Sequence, residues 1–364
     1  MDISDKRIRK ILLYGIVIFF VGGFGGLITQ KYIAPFLVSL PVFRNFGFLR
    51  ADGPVVITKT ELIRVNENVR LTELAKELTP RIVLILGGTG EAGKNFEERV
   101  RGTGLIISAD GIVATDRSLI SDKRYNYFAI TSDSKVLPLN LVADDPKSDM
   151  VLAQIKDGTL SAINFGLSYE LTLGQQLVVL SGTETSNLSQ LLVPNVTQAP
   201  GDFNLTSIFS SEGTIQNFAM SDIVPPGAGI FNLSGQLVGM GLSDGVILSA
   251  EAVKSGVDSY FGNSEIVRPL LGINYVPFGA SVSKILGLKK EQGILVRGID
   301  ANSPASKGGL QAGDIIFRIN NEEVIAKNTL DVFLNRYKPG DKWTLSVLRG
   351  EREITIEVVL AKMK

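Results

Sequence analysis

Between residues 80 and 255 the chain is written in short β-branched and aliphatic runs, each closed by Gly, Asp or Ser, and this texture constrains the fold most. Ile82-Val-Leu-Ile-Leu86, Gly104-Leu-Ile-Ile107, Ile112-Val-Ala114 and Leu177-Val-Val-Leu180 are too short for helices, and no long helical pattern lies between them. Regular short strands of this kind specify an all-β barrel or sandwich rather than βαβ units. The 38 glycines and 45% apolar content fit glycine-punctuated β structure rather than disorder. Near Arg268 the pattern changes to strands mixed with two expected helices, an α+β arrangement that runs to Lys364. Ahead of the first strand, Val69 to Leu78 reads as a short amphipathic helix with Leu71, Leu74, Ala75 and Leu78 on one face.

The N-terminal part has a different character. Ile11 to Gln30 carries no charge and is mostly apolar, and as a helix it reaches about 30 Å, enough to cross a bilayer core. Lys6, Arg7, Arg9 and Lys10 precede it, which places the N-terminus in the cytoplasm and the bulk of the chain on the periplasmic or extracytoplasmic side. A cleaved signal peptide would have a shorter apolar core and an A-x-A-like site, and neither is present. The expected organisation is therefore a basic cytoplasmic tail over 1–10, a retained single-pass transmembrane helix over 11–30 in the cell membrane, and a linker over 31–79 interrupted by Pro35, Pro41 and Pro54. A β domain over 80–255 and an α+β domain over 264–364 follow.

Composition also narrows the chemistry. Lys+Arg 37 balances Asp+Glu 37, so nothing favours binding to a phosphate backbone and no nucleic-acid partner is expected. The chain has no cysteine and no histidine. Thiolate chemistry is thereby removed, along with the commonest metal ligand and the usual general base near neutral pH. No metal or cofactor is expected.

Thr103-Gly-Leu-Ile-Ile-Ser-Ala-Asp-Gly-Ile-Val-Ala-Thr115 resembles the opening of an HtrA-type protease domain, trypsin-like with a chymotrypsin fold. Ala143-Asp-Asp-Pro-Lys-Ser-Asp-Met-Val-Leu-Ala-Gln-Ile155 is similar to the family's aspartate-bearing segment, and Phe231-Asn-Leu-Ser-Gly-Gln-Leu-Val-Gly239 to the run that follows its nucleophile. The resemblance implies a double β-barrel and puts Asp149 at the catalytic aspartate. It puts Ser118 where the family has histidine. Aligned backwards from Phe231 without a gap, Pro226 takes the nucleophile position; alternatively, Pro226-Gly227 matches the family's Pro-Gly and the nucleophile segment is deleted. Either way Ile223 to Leu233 holds no Ser, Thr or Cys. Acyl transfer needs a nucleophile, a base and oxyanion donors. These degenerate positions give the expectation that the domain is a pseudoprotease and the chain not an enzyme.

Leu270-Leu-Gly-Ile273, Gly293-Ile-Leu-Val-Arg-Gly-Ile299, Asn302-Ser-Pro-Ala305 and Gly309-Leu-Gln-Ala-Gly-Asp-Ile-Ile316 resemble a PDZ domain of the HtrA sort. The resemblance implies a peptide-binding site. The loop Leu271-Gly272-Ile273 would receive a carboxylate, and Ile273, Tyr275, Leu330, Phe333 and Leu334 would line a groove for an added strand. The expected function is a membrane-anchored scaffold, regulator or chaperone of the cell envelope that binds peptide C-termini or unfolded proteins. A homotrimer, or a mixed oligomer with active relatives, is the assembly the resemblance implies. Two rival readings are an active endopeptidase with a non-standard site and a structural protein whose groove is vestigial.

Overall fold

The computed structural model describes residues 13–14, 21–22, 67–91, 94–156, 160–183, 186–198, 209–210, 218–325 and 329–363. The chain divides into Met1–Arg64 and Val65–Lys364, and the description below concerns the second unit. The expected span over 11–30 lies outside the described residues, apart from the helical, exposed Leu13, Tyr14, Val21 and Gly22. No helix among the described residues is long and apolar enough to cross a membrane.

Helix α1 (Glu67–Leu78) leads into a seven-stranded antiparallel sheet. Its strands are β1 (Ile82–Glu91), β2 (Lys94–Ile106), β3 (Ile112–Asp116), β4 (Asn126–Ile130), β5 (Val136–Pro138), β6 (Asn140–Asp144) and β7 (Met150–Gln154), in the order β5-β4-β1-β2-β3-β7-β6, and the short helix α2 (Arg117–Ile120) follows β3. Then come β8 (Asn164–Phe165), β9 (Val178–Thr183), β10 (Ser186–Leu192), β11 (Val196–Gln198), β12 (Phe209–Ser210), β13 (Ala219–Met220), β14 (Gly229–Phe231), β15 (Gln236–Gly241) and β16 (Ile247–Ser249). A second sheet runs β10-β9-β14-β15-β16, with β8 added in parallel to β15, while β11 and β13 form a separate ribbon.

The sequence runs are continuously apolar because both faces of these strands are buried. Side chains alternate across a strand. Val83 and Ile85 pack inside the first sheet with Val113 and Val151, whereas Ile82, Leu105 and Leu152 face a core shared with the second sheet. In that second sheet Leu177, Val179, Ile230 and Val238 point to one core, and Val178, Leu180, Phe231 and Leu237 to the shared one. Leu74 and Leu78 of α1 close the shared core from outside.

Helix α3 (Ala250–Asn263) is capped by Ser249, whose hydroxyl accepts from the Ala252 N–H at 3.2 Å. It lays Val253 and Val257 on the shared core and then delivers the chain to the C-terminal domain. That domain contains β17 (Pro269–Leu270), β18 (Ile273–Phe278), α4 (Ala280–Leu286), β19 (Gly293–Ile299), α5 (Pro304–Gly308), β20 (Ile315–Ile319), β21 (Glu322–Glu323), α6 (Leu330–Leu334), β22 (Lys342–Arg349), β23 (Arg352–Val359) and β24 (Ala361–Lys362). Three short helices stand where the sequence suggested two; α5 is only one turn long, too brief to leave a periodic signal. Trp343 centres the core, edge-on to Tyr337 at 5.3 Å and to Phe333 at 6.5 Å between ring centroids.

The two domains meet through buried charge. Arg268 donates from Nε to Asp145 Oδ1 at 3.0 Å and from the Nη2 amino group to Oδ2 at 2.6 Å, with side-chain exposures of 2% and 1%. Burial alone would raise the Asp145 carboxyl, but the guanidinium and the hydrogen bonds from the Lys147 N–H and the Ser148 hydroxyl together hold it below the ordinary value. Removing one partner strands a buried charge. Arg268→Met is therefore expected to lower unfolding stability by about 3–5 kcal/mol, while D145L/R268M costs less, as read by thermal melts. Asp145's contribution is complete above the unfolded carboxylate value of about 3.9. It is lost as pH falls through the lower folded value, so the melting gap between wild type and D145L/R268M should narrow on acidification.

Candidate functional site

Two places gather the expected site residues, and the first is the junction of the two sheets. Asp116 ends β3 and caps α2, its Oδ1 accepting the Ser118 N–H at 2.8 Å and the Ser118 hydroxyl. From the second sheet's side, Ser243 donates its N–H to Asp116 Oδ2 at 2.8 Å and its hydroxyl to both carboxylate oxygens at 3.0–3.1 Å. Asp116 is fully buried. This carboxylate holds Ser118 and Ser243 on opposite sides of itself, a contact between residues far apart in sequence that no local motif announced.

Asp149 stands in the turn before β7. Its side chain lies 3.6 Å from Arg117 Nε, and its carbonyl accepts the Arg117 N–H at 2.7 Å. It is paired with arginine rather than directed at Ser118's hydroxyl, which Asp116 holds. Arg117 also reaches Asp144 at 3.2 Å, and these charges rim a shallow cleft with Lys147, Ser148, Ser243 and Val246.

Pro226 lies in the turn that leads into β14. The next residue, Gly227, has φ +75, and a Cβ there would fall 2.0 Å from the Thr103 carbonyl and 3.0 Å from Leu119 Cδ1. Only glycine allows that approach, and it brings the Pro226 turn against Leu119 of α2. The Gly227 N–H is bonded to the Gly241 carbonyl at 2.8 Å and the Ala228 N–H to the Pro225 carbonyl at 3.1 Å, while Pro226 has no N–H. Ser118 adjoins Arg117, which pairs with Asp149; the turn of Pro226 and Gly227 packs on Leu119 of the same helix, and Asp116 with Ser243 ties the two sheets together there.

The second place is the edge of the C-terminal sheet, ordered β12-β18-β19-β20-β22-β23. Leu271, Ile273, Tyr275, Leu330, Phe333 and Leu334 all belong to one core cluster and are at most 2% exposed. Burial lifts the Tyr275 phenol well above its ordinary value, with the Asp331 carboxylate adding to the shift, so β18 and α6 meet at this pair. Gly272 has φ +77, and a Cβ on it would lie 2.2 Å from Ser303 Cβ. The loop is therefore closed by its own fold, and a side chain at 272 would strike Ser303 before any ligand.

Comparison with known proteins bears on both places. The trypsin-like peptidase domain model matches residues 102–240, and the PDZ domain model matches residues 269–360. The chain thus matches, in order, a trypsin-like peptidase domain and a PDZ domain. A probable periplasmic serine endoprotease, DegP-like, from Chlamydia trachomatis serovar D is 26% identical over 276 residues, covering 73% of this chain. This chain spans only 55% of that relative. Serine endoprotease DegS of Haemophilus influenzae is 25% identical over 324 residues, covering 86% of this chain and 92% of that protein. The solved HtrA-type protease AlgW with tripeptide shares the fold at a TM-score of 0.57, 19% identity, and coverage of 81% and 97% of the two chains.

These relatives correct the expectation that the chain is not an enzyme. They are named serine endoproteases, and the named activity of whole relatives outweighs an inference from substituted positions. What stands from the sequence is narrower: there is no histidine to serve as a base.

Asp116→Ala is expected to cost about 2–4 kcal/mol, because it leaves the N–H groups of Ser118 and Ser243 without their acceptor. Asp116→Asn keeps one acceptor oxygen and should cost less. Urea denaturation of both variants checks the order.

Proposed function

We propose that this chain is an HtrA-like protein of the cell envelope that takes up extended segments or C-termini of partner proteins along β18 of its PDZ domain. One observation supports this above the others: β18 accepts an antiparallel strand on its outer side, Phe209–Ser210 pairing with Tyr275 and Asn274. Strand addition supplies main-chain hydrogen bonds. The uncharged 11–30 stretch anchors the chain by one helix, with the folded unit on the periplasmic side, in keeping with the periplasmic naming of its relatives. Assembly with further copies, or with relatives of the same fold, would present several PDZ domains together.

A second reading, endopeptidase activity, is favoured by the relatives' names. Here it would run without histidine, and the hydroxyls of Ser118 and Ser243, both on the buried Asp116, are the groups the junction offers.

Screening the full chain in detergent against a library of C-terminal and internal peptides tests the first reading. Retention of apolar peptides at micromolar Kd, about −8 kcal/mol, is expected. No retention above polar controls, by the chain or by its F209P/S210P variant, would overturn it. Casein cleavage that vanishes in both S118A and S243A would support the second reading; no cleavage by the wild type would remove it.

A further inference from the structure

Arg101 is the odd residue of a β-bulge. Along the β1–β2 ladder Ile85 faces Gly102 and the next residue, Leu86, faces Val100, so nothing in β1 stands opposite Arg101. Bulges re-aim a side chain, and this one lays Arg101 across β1 at Gly87. A Cβ on Gly87 would lie 3.0 Å from Arg101 Nε, 3.4 Å from its Cγ and 3.1 Å from Tyr127 Cε1. The absent side chain at 87 is the lane in which the arginine runs, with Tyr127, opposite Gly87 on β4, beside it. The guanidinium carbon then sits 4.3 Å from the centre of the Tyr125 ring, a cation–π contact that holds the group in place.

What this half-buried arginine lacks is an acceptor. Its Nε is enclosed without a hydrogen bond, and no carboxylate or carbonyl among the described residues pairs with the group. Every other buried or half-buried arginine among them has one. Arg70 reaches the Leu233 carbonyl, Arg81 Glu77, Arg117 Asp144, Arg268 Asp145 and Arg349 Asp314. The turn before β4 offers no substitute, because Arg124 clasps the Asp122 carboxylate, Nη2 to Oδ2 at 2.6 Å and Nε to Oδ1 at 3.0 Å. An enclosed donor without a partner is costly, yet the bulge, Gly87 and Tyr125 together keep Arg101 where it is.

We propose that Arg101 anchors a docking site for an acidic segment of a partner protein, receiving an Asp or Glu carboxylate on its unused donors. The guanidinium fork matches the two oxygens of a carboxylate. The surroundings favour the same charge, since Lys123 and Arg124 are exposed on the adjoining turn and its one carboxylate is already paired. Arginine beside tyrosine is also the composition over-represented where protein partners bind. The site belongs to the peptidase-like domain and is independent of β18.

The test uses the full chain in detergent, with a fluorescein-labelled oligoglutamate peptide as probe and oligoglutamine as control, read by anisotropy at low salt. Wild type is expected to bind oligoglutamate and not oligoglutamine. R101M should bind it about tenfold more weakly, the scale of one bidentate charge-assisted pair. R101K should fall between, because it keeps the charge without the fork. Melting curves separate loss of the site from loss of the fold. A second measurement needs no variant: phenylglyoxal modification of wild-type Arg101, followed by peptide mapping, should slow several-fold when oligoglutamate is added. Equal affinity of folded R101M and wild type, or an Arg101 left unprotected by oligoglutamate, would overturn the proposal. Protection by micelles doped with phosphatidylglycerol but not by oligoglutamate would overturn the acidic-protein partner in favour of a phosphate-bearing surface.

Discussion

The Asp145–Arg268 pair is the interaction on which the arrangement of the domains depends. Arg268 sits where α3 has ended and the PDZ sheet has not yet begun, so its side chain and backbone serve different domains. The guanidinium is buried against Asp145 of the peptidase-like domain. Its carbonyl accepts the Met363 N–H at 2.9 Å, next to the ribbon in which Pro269 pairs with Lys362. The first and last strands of the PDZ domain are thus fixed to a residue whose charge is satisfied only inside the neighbouring domain. The same turn makes a second tie, Lys147 to Asp331 on α6 at 2.5 Å with both side chains nearly buried. Asp149 completes it through Arg117. A short stretch of peptidase-fold sequence is therefore held by the PDZ domain on one side and by α2 on the other.

Much of this was legible in the sequence because it is local or periodic. The β runs and the amphipathic helix ahead of them appear as patterns, and the structure places strands or a helix at each. The runs without alternation became strands with two buried faces, since the shared core between the sheets takes the side chains that an isolated barrel would expose. Ser118, Asp149 and Pro226 were legible only through a resemblance, since nothing in their own spacing marks them.

What was not legible depends on distant pairs or on very short elements. Ser243 lies in a turn of one 3-10 helical step, and no motif marks it as a partner for Asp116. Arg268 and Asp145 lie 123 positions apart, and nothing in the sequence marks them as partners. Strand β12 is two residues long inside a polar stretch, too short for a period-2 signal, and its partner is in another domain. Gly272 shows the converse case. The need for glycine was readable, but the residue it makes way for is Ser303 of its own fold.

The absence of histidine and the occupied sheet edge lead to one physical point. In a histidine-dependent site the chemistry is fixed by a single titrating group, and here no such group exists. The electrostatic organisation at the sheet junction instead consists of carboxylates already committed: Asp116 to two serines, Asp149 to arginine, Asp145 to Arg268. For the buried Asp116 and Asp145, losing the partner would strand a buried donor or a buried charge. The outer side of β18 contrasts with this, since two backbone pairings are its only described strand contact there. Few bonds hold that edge and many hold the junction, so a ligand can alter the former at far smaller cost. The Asp145–Asp149 turn is nevertheless tied to the PDZ domain on this side, since Lys147 pairs with Asp331 of α6.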